Sequence, residues 1–275
     1  MPPRRARRMG PATTLTAVTK VTALSTLATL AVCAAAPTAQ AAPAAPAATT
    51  TAATTTAVYG FAWQDGPRAL RITPAKATRV KQYGVVRYRL TPIPGARERR
   101  IGYANAAFQR ITAACDLKET EGVVRLDSAG LGTTKCGPAD LDFVLGLGPT
   151  PVKITLSGAS AATRVQEFLA APTRTTAAYG TIKRADDDTI LFTRAGRTIR
   201  LHHTHVTFNR VTRRCADPWL ANHPNADRDG LGTKPCATAY LTRALKPQRY
   251  PVLAKVDYTP ASNQLNEVWE VFGDA

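Results

Sequence analysis

The sequence lacks the motifs on which common enzymes depend. Histidine occurs only four times in 275 residues, and no G-x-S-x-G, H-E-x-x-H or P-loop pattern is present. The acids Glu167 and Glu267 recur one hundred positions apart, but we expect both to lie on exposed hairpin strands. Because every histidine lies in the second half of the chain, a catalytic pair would have to come from that half alone. We therefore expect no enzymatic activity and no cofactor.

Acidic residues are absent from the first forty positions, and no apolar run there is long enough for a comfortable membrane span. A cluster of arginines precedes an apolar stretch at residues 21–36, and Ala39-Gln40-Ala41 offers the small residues that a signal peptidase needs. This pattern predicts a secretory signal at 1–41 that is cleaved after Ala41, an extracellular mature protein and no stable membrane insertion. A lipid anchor at Cys33 is the alternative, which the branched Val32 before it disfavours.

Cysteine is scarce as well, with five residues in the chain. Removal of residues 1–41 leaves two pairs of identical spacing, and we predict the disulfides Cys115–Cys136 and Cys215–Cys236 in an oxidising compartment. Each bridge closes a loop of about twenty residues and should contribute roughly 3 kcal/mol. Neither pair has a C-x-x-C spacing or a histidine at ligand distance, so no metal is predicted.

The cysteine pairs belong to a longer internal repeat. Residues 108–167 align without a gap on residues 208–267, and a Gly-Leu-Gly-Thr block at 130–133 recurs at 230–233. Tyr59 and Tyr179, which open the two copies, are 120 positions apart, so repeat 1 holds twenty extra residues, predicted around positions 79–101. We predict a flexible linker rich in Ala, Pro and Thr at 42–58, repeat 1 at 59–172 and repeat 2 at 173–275.

The order of elements indicates a β-rich α+β fold of two tandem modules. In repeat 2 we predict a helix at 237–245 and strands at 179–184, 189–194, 197–202, 206–212, 251–258 and 265–272. In repeat 1 we predict a helix at 138–145 and strands at 85–90, 107–112, 152–156 and 163–168. Each module would be a small antiparallel sheet or partly open barrel, similar to an OB-like barrel, with one short helix and one disulfide.

Basic residues outnumber acidic residues by 36 to 19, which gives a net charge of +17, or +12 without the five basic residues of positions 1–41. This excess favours an anionic extracellular ligand such as a wall polymer. The alternative is an ordinary solvated surface, because the arginines are scattered through both halves. Tyr83, Tyr88 and Phe192 are too sparse for a nucleic-acid-binding face, so we expect no specific nucleic-acid binding.

Two clusters could suggest a metal ion. His202, His203 and His205 have a suitable spacing, but no acid or cysteine lies near them in sequence, so a surface strand is favoured. Residues 225–230 are similar to the start of a calcium loop, but the bidentate glutamate that should follow is missing. We predict that Asp127 and Asp227 instead accept hydrogen bonds from their own loops.

The second half of repeat 2 resembles the small secreted subtilisin-inhibitor family of filamentous bacteria. The resemblance rests on Val211-Thr212, Cys215, His223-Pro224, Cys236-Ala237, Leu245, Pro251-Val252, Val256-Asp257 and Val271-Phe272. It implies an antiparallel sheet with helices and a protruding loop that inserts into a protease cleft. That loop corresponds to residues 146–150 in repeat 1 and, in repeat 2, to Lys246, Pro247, Gln248, Arg249 and Tyr250. The two cysteines that brace the loop in the family are absent from this chain.

Two hypotheses about function follow. In the first, the chain is a secreted non-enzymatic binding protein of two duplicated modules, with an unknown ligand such as an anionic component of the cell envelope or matrix. The alternative, implied by the resemblance, is an extracellular serine protease inhibitor that binds a secreted protease through the loops before Pro151 and Pro251.

Overall fold

A computed structural model describes residues 56–273, which form two seven-stranded sheets, a separate two-stranded hairpin and two helices. The predicted signal, its cleavage after Ala41, Cys33 and most of the predicted linker lie outside the described residues. Within residues 56–273, no helix is both long and apolar enough to cross a membrane. The predicted β-rich fold, with two sheet modules and one short helix in each, is confirmed.

The first module is a five-stranded ring, called barrel 1, with a two-stranded extension. Its strands follow the order β5-β2-β1-β8-β9-β6-β7, and a parallel contact between Gly102 and Ala161 joins β5 to β9 and closes the ring. The elements are β1 (Thr56–Gln64), β2 (Ala69–Ile72), β5 (Arg99–Gly102), β6 (Ala107–Arg110), β7 (Thr134–Cys136), α1 (Pro138–Leu147), β8 (Thr150–Ser157) and β9 (Ala161–Glu167).

The second module, barrel 2, has the same order of strands, β12-β11-β10-β15-β16-β13-β14, and His202 pairs with Gln264 to close its ring. In both barrels the helix lies between the third and fourth ring strands, as in the OB-like barrel predicted from the sequence. The elements are β10 (Thr176–Arg184), β11 (Thr189–Arg194), β12 (Arg197–His202), β13 (Thr207–Arg210), β14 (Lys234–Cys236), α2 (Thr238–Leu245), β15 (Val252–Thr259) and β16 (Gln264–Glu270).

The predicted antiparallel arrangement holds for most strand pairs but not for all of them. Strand β9 lies parallel to β5 and β6, and β16 lies parallel to β12 and β13. The long connection through the disulfide loop and the helix lets the chain return in the same direction, which a hairpin cannot do. Strands β7 and β14 were not predicted because each has only three residues and β14 contains Pro235.

The extra residues of repeat 1 form the hairpin of β3 (Ala75–Gln82) and β4 (Val85–Pro92), called the inserted hairpin. Ile72 and Ile101 are 29 positions apart, whereas their counterparts in barrel 2, Phe192 and Leu201, are nine apart. Barrel 1 therefore holds twenty more residues than barrel 2 between these two strands. The predicted strand at 85–90 is not a barrel strand, however, because its place in the ring is taken by β5.

The gapless alignment of the two repeats is wrong beyond the helices. Gly60 pairs with Val152 and Gly180 with Ala254, so the counterpart of Val152 is Ala254 and not Val252. The offset grows again at the terminal hairpin, where Glu167 corresponds to Glu270. The additional residues of barrel 2 lie in surface connections, where length is weakly constrained.

The recurring Gly-Leu-Gly-Thr block is explained by close packing of backbone against backbone. A Cβ atom on Gly132 would lie 2.5 Å from the carbonyl carbon of Arg110, and one on Gly232 equally close to that of Arg210. The preceding aspartates behave as predicted, since Oδ1 of Asp127 and of Asp227 each accept the N–H four residues later at 2.9 and 2.8 Å. This loop needs no ion to hold its shape.

The two barrels are in contact through β1 and the segments around β12 and β16. Trp63 is 6% exposed, its Nε1 donates to the Ser262 carbonyl at 2.8 Å, and its ring lies 5.2 Å from that of His202. Strand β1 begins at Thr56, three residues before the predicted start of repeat 1, and β10 begins at Thr176, within the predicted repeat 2 and three residues before its predicted first strand. The segment between the modules is short, because Ala170 already bridges to Tyr88.

Candidate binding surfaces

Both predicted disulfides are present, with S–S distances of 1.99 Å for Cys115–Cys136 and 1.95 Å for Cys215–Cys236. Such bridges are typical of an oxidising, extracellular environment. Among residues 56–273, one set of potential ligand atoms lies close enough together for a metal ion, that of Cys115, Cys136 and Asp140. Both of its sulfur atoms are bonded to each other in the disulfide, whereas a cysteine binds a metal ion as a free thiolate.

A buried ion pair beneath each disulfide loop was not predicted. Arg210 and Glu270 are both 0% exposed, and Nη2 of Arg210 lies 2.7 Å from Oε1 of Glu270. The same guanidinium donates to the carbonyls of Cys215, Asp217 and Pro218 at 2.6 to 3.0 Å. The arginine therefore fixes the path of the loop, and the glutamate neutralises its charge.

Barrel 1 has a looser version of this arrangement. Arg110 donates to the carbonyls of Cys115 and Leu117, and its Nε lies 3.3 Å from Oε2 of Glu167. Glu167 is 4% exposed, which corrects the prediction of an exposed position. Burial raises the pKa of the Glu167 carboxyl, although Arg110 and the N–H of Ile111 act in the opposite direction.

A groove opens beside the Arg110–Glu167 pair. It has a volume of about 380 Å³ and is lined by this pair, by loop residues 118–120 and by residues 147–151 between α1 and β8, with Gln264 contributed by barrel 2. Its apolar walls come from Ile111, Val144, Leu147, Pro149 and Pro151. The loop before Pro151, predicted as inhibitory, is therefore a wall of this groove, and Thr150 within it is buried in strand β8.

In barrel 2, Trp219 lies at the position of Glu119 in barrel 1. Its ring stacks on Phe208 with centroids 5.6 Å apart and packs against the core of barrel 2. The N–H of the next residue, Leu220, donates to Oε1 of Glu270 at 3.2 Å. Residues 218–220 of barrel 2 thus form hydrogen bonds with their own ion pair, and among the described residues the loop of barrel 1 forms no counterpart to them.

The inserted hairpin is a basic arm anchored to barrel 1. Its inner side chains Tyr88 and Leu90 are buried against Phe168, and the Tyr88 hydroxyl donates to the Ala129 carbonyl at 2.7 Å. The tip is a tight turn in which Tyr83 and Gly84 both have positive φ, of 51° and 78°.

The inserted hairpin has five basic residues and no acidic residue between positions 75 and 92. Within residues 56–273, none of these five side chains forms an ion pair, and four are exposed, whereas Arg87 is half-buried and its Nη1 donates to the Ala170 carbonyl at 3.3 Å. Strand alternation places Lys76, Arg87 and Arg89 on the outer face of the hairpin. Arg79 and Lys81 lie on the opposite face, towards the tip. The expectation that the basic residues are merely scattered therefore does not hold in this segment.

The histidine cluster is not the predicted surface strand. His202 and His203 are 3% and 4% exposed, and only His205 faces solvent. Nε2 of His202 lies 2.7 Å from Glu98 and its Nδ1 lies 3.1 Å from the Thr189 hydroxyl, so the imidazole connects the two barrels. The packing of barrel against barrel, which the sequence does not show, buries these side chains.

The predicted inhibitory loop of repeat 2 lies at the surface. Tyr250 is 80% exposed, and Lys246, Pro247 and Arg249 are also exposed. Gln248 is half-buried, and its N–H donates to the Leu245 carbonyl at 3.1 Å. The first part of the loop is therefore a turn that continues from α2, and its second part, Arg249 and Tyr250, is an exposed bend.

Comparison with known proteins gives no match: no family model, no curated protein and no solved structure is similar to this chain. The function must therefore be argued from the surfaces of the molecule.

Proposed function

We propose that the chain is a secreted, non-enzymatic binding protein, built from two copies of one module, that holds an anionic polymer of the cell envelope or matrix on the inserted hairpin. The observation that carries this proposal is the set of five cations without ion-pair partners in the described structure. Barrel 2 closes the same ring with only Ala195 and Gly196 between β11 and β12. The inserted hairpin is therefore an addition that the barrel does not need for closure.

The shape of the arm suits a polymer better than a single small anion. Two strands of eight residues extend about 25 Å, so the cations are spread over a distance that several repeating anionic groups can match. Each exposed contact is weak in water, and many contacts together give useful affinity that depends strongly on salt.

The test compares two variants with the same net charge. The hairpin variant carries glutamine at Lys76, Arg79, Lys81, Arg87 and Arg89, and the control variant carries glutamine at five exposed arginines of barrel 2, Arg194, Arg197, Arg213, Arg228 and Arg249. We expect the hairpin variant to elute from a polyanion column at lower salt than the control. The slope of log affinity against log salt should fall by about one for each lost contact.

Equal elution of the two variants would show that retention reflects total charge alone, and would overturn the assignment to the inserted hairpin. Loss of all wild-type retention at physiological salt would overturn the proposal itself, because attraction of that kind is nonspecific.

As a second candidate function, we propose inhibition of a secreted serine protease through the loop before Pro251, on the single observation that Tyr250 is 80% exposed. Titration of the protein against subtilisin-like and trypsin-like proteases should then give stoichiometric inhibition. Cleavage between residues 246 and 250, or no effect on either protease, would eliminate it.

A further inference from the structure

We propose that the groove beside Arg110 binds a short peptide segment of another protein that presents an aromatic side chain, in the way barrel 2 holds its own residues 218–220. This site is distinct from the inserted hairpin, and the inference does not depend on binding of a polymer.

Barrel 2 shows what its ion pair accepts. The guanidinium of Arg210 donates from Nη2 to the Pro218 carbonyl at 3.0 Å, and the Leu220 N–H donates to Oε1 of Glu270 at 3.2 Å. Between these two backbone groups, Trp219 lies stacked on Phe208. The pair therefore recognises one carbonyl and one N–H two residues apart, with an aromatic side chain between them.

Barrel 1 presents the same two atoms without these partners. Within residues 56–273, Nη2 of Arg110 donates no hydrogen bond, and Oε1 of Glu167 accepts only from Nε of Arg110, at 3.4 Å. Both side chains are more than nine-tenths buried and line the groove. Relative to the Arg210–Glu270 pair, this pair therefore lacks one donated and one accepted hydrogen bond, which a ligand with the complementary groups would supply.

The chain of barrel 1 does not fill the groove. Glu119 replaces the tryptophan and is exposed, and Thr120 replaces Leu220. The remaining space of about 380 Å³ lies within the range of ligand-binding cavities and is large enough for one aromatic residue with its flanking peptide groups. Apolar walls complement an aromatic ring, and the peptide groups would meet Arg110 and Glu167.

The ligand has to come from another molecule. Residues 1–55 contain no Phe, Tyr or Trp, so the N-terminal part of the chain cannot supply the aromatic side chain. The ligand class is therefore an uncharged segment of the type Pro-Trp-Leu, with an unblocked N–H on the residue after the aromatic one.

The experiment uses the capped, uncharged peptide Pro-Trp-Leu-Ala, which reproduces residues 218–221, with the purified protein. Binding is followed by NMR chemical shifts of the groove residues. We expect saturable shifts confined to residues around Arg110, Glu167 and Leu147. A peptide with Ala in place of Trp, and one with an N-methylated Leu, should each bind at least tenfold more weakly.

The matched variant closes the groove from within. Substituting Lys118→Pro, Glu119→Trp and Thr120→Leu gives barrel 1 the loop residues of barrel 2, and we expect at least a tenfold loss of peptide binding while the protein stays folded. No binding at millimolar peptide, or equal binding to this variant or by the Ala peptide, would overturn the proposal. Retention on a polyanion column should be the same for this variant and the wild type, so failure of the groove proposal is distinguishable from failure of the polymer proposal.

Discussion

The carboxylate of Glu270 is a fully buried charge that depends on its hydrogen-bond partners. It accepts hydrogen bonds from Arg210 and from the N–H groups of Val211 and Leu220, with no exposure to water. We expect Glu270→Gln to cost about 3–5 kcal/mol, because Arg210 would keep a buried charge without a counter-charge. The equivalent Glu167→Gln should cost less, about 1–3 kcal/mol, since the groove lets water reach Arg110. Urea unfolding of both variants measures the difference, and a larger loss for Glu167→Gln would contradict the view that this pair is open to the groove.

His203 gives the protein a defined sensitivity to acid. Burial lowers the pKa of its imidazole to about 4 from the ordinary 6.5. Between these values the unfolded chain binds a proton that the folded protein does not, so stability falls as pH decreases through this window and rises as pH increases. The expected loss from pH 7 to pH 4 is about 3 kcal/mol from this group. The free energy of unfolding, measured at several pH values, should depend less on pH in His203→Gln than in the wild type. The exposed control His205→Gln should keep the wild-type dependence. Equal dependence in all three proteins would contradict the assignment of this acid sensitivity to His203.

The two disulfide loops differ in the number of contacts, besides the disulfide itself, that restrain them. The loop of barrel 2 is fixed by three carbonyl contacts to Arg210, by Trp219 and by the Leu220 N–H, whereas that of barrel 1 has two carbonyl contacts to Arg110. After reduction of both bridges, each loop loses roughly 3 kcal/mol of constraint. We expect amides of residues 116–124 to exchange hydrogen at least about tenfold faster than those of 216–224, because two additional hydrogen bonds contribute about 0.5–1.5 kcal/mol each. Equal exchange rates in the reduced protein would mean that the ion pairs do not restrain the loops.

Short sequence patterns were sufficient to predict the disulfides and the strands that are bounded by clear turn signals. The cysteine spacing predicted both disulfides, and turn signals around residues 186–188 and 195–196 predicted the three strands β10, β11 and β12. The predicted match between Glu167 and Glu267 is wrong, because the surface connections before these residues differ in length between the two barrels. Strand β5 was missed for a similar reason, since the inserted hairpin separates it from its neighbour β2.

The candidate surfaces depended on contacts between distant residues and were harder to predict. The five cations of the inserted hairpin lie in one stretch of sequence, and recognition of the hairpin would have brought them together. The groove could not be predicted, because it results from the absence in barrel 1 of a side chain that barrel 2 supplies, Trp219. Burial of His202 and His203 could not be predicted either, since each strand alone gives no sign of the other barrel.

Charged side chains join the two barrels around a tryptophan. Arg71 of barrel 1 lies 2.7 Å from Asp65 and 3.2 Å from Asp186 of barrel 2. Glu98, on the other side, contacts His202 and Arg200. Burial alone would raise the pKa of the Glu98 carboxyl, but the hydrogen bond and charge of His202 and the charges of Arg200 and Arg71 lower it. We expect these contacts to make the barrels unfold together, because the unfolding of one would expose the polar groups of the other.

Trp63 is the side chain on which this coupling should depend most. It is almost fully buried between the barrels, and its indole N–H has a partner only across the interface, the Ser262 carbonyl. We expect Trp63→Ala to cost about 3–5 kcal/mol and to divide a single calorimetric transition into two, one for each barrel. The control Trp219→Ala removes an indole that packs within barrel 2, so it should lower the transition temperature while the ratio of calorimetric to van't Hoff enthalpy stays near one. If Trp63→Ala lowers stability but leaves one transition, the coupling of the barrels does not depend on Trp63, and this prediction is contradicted.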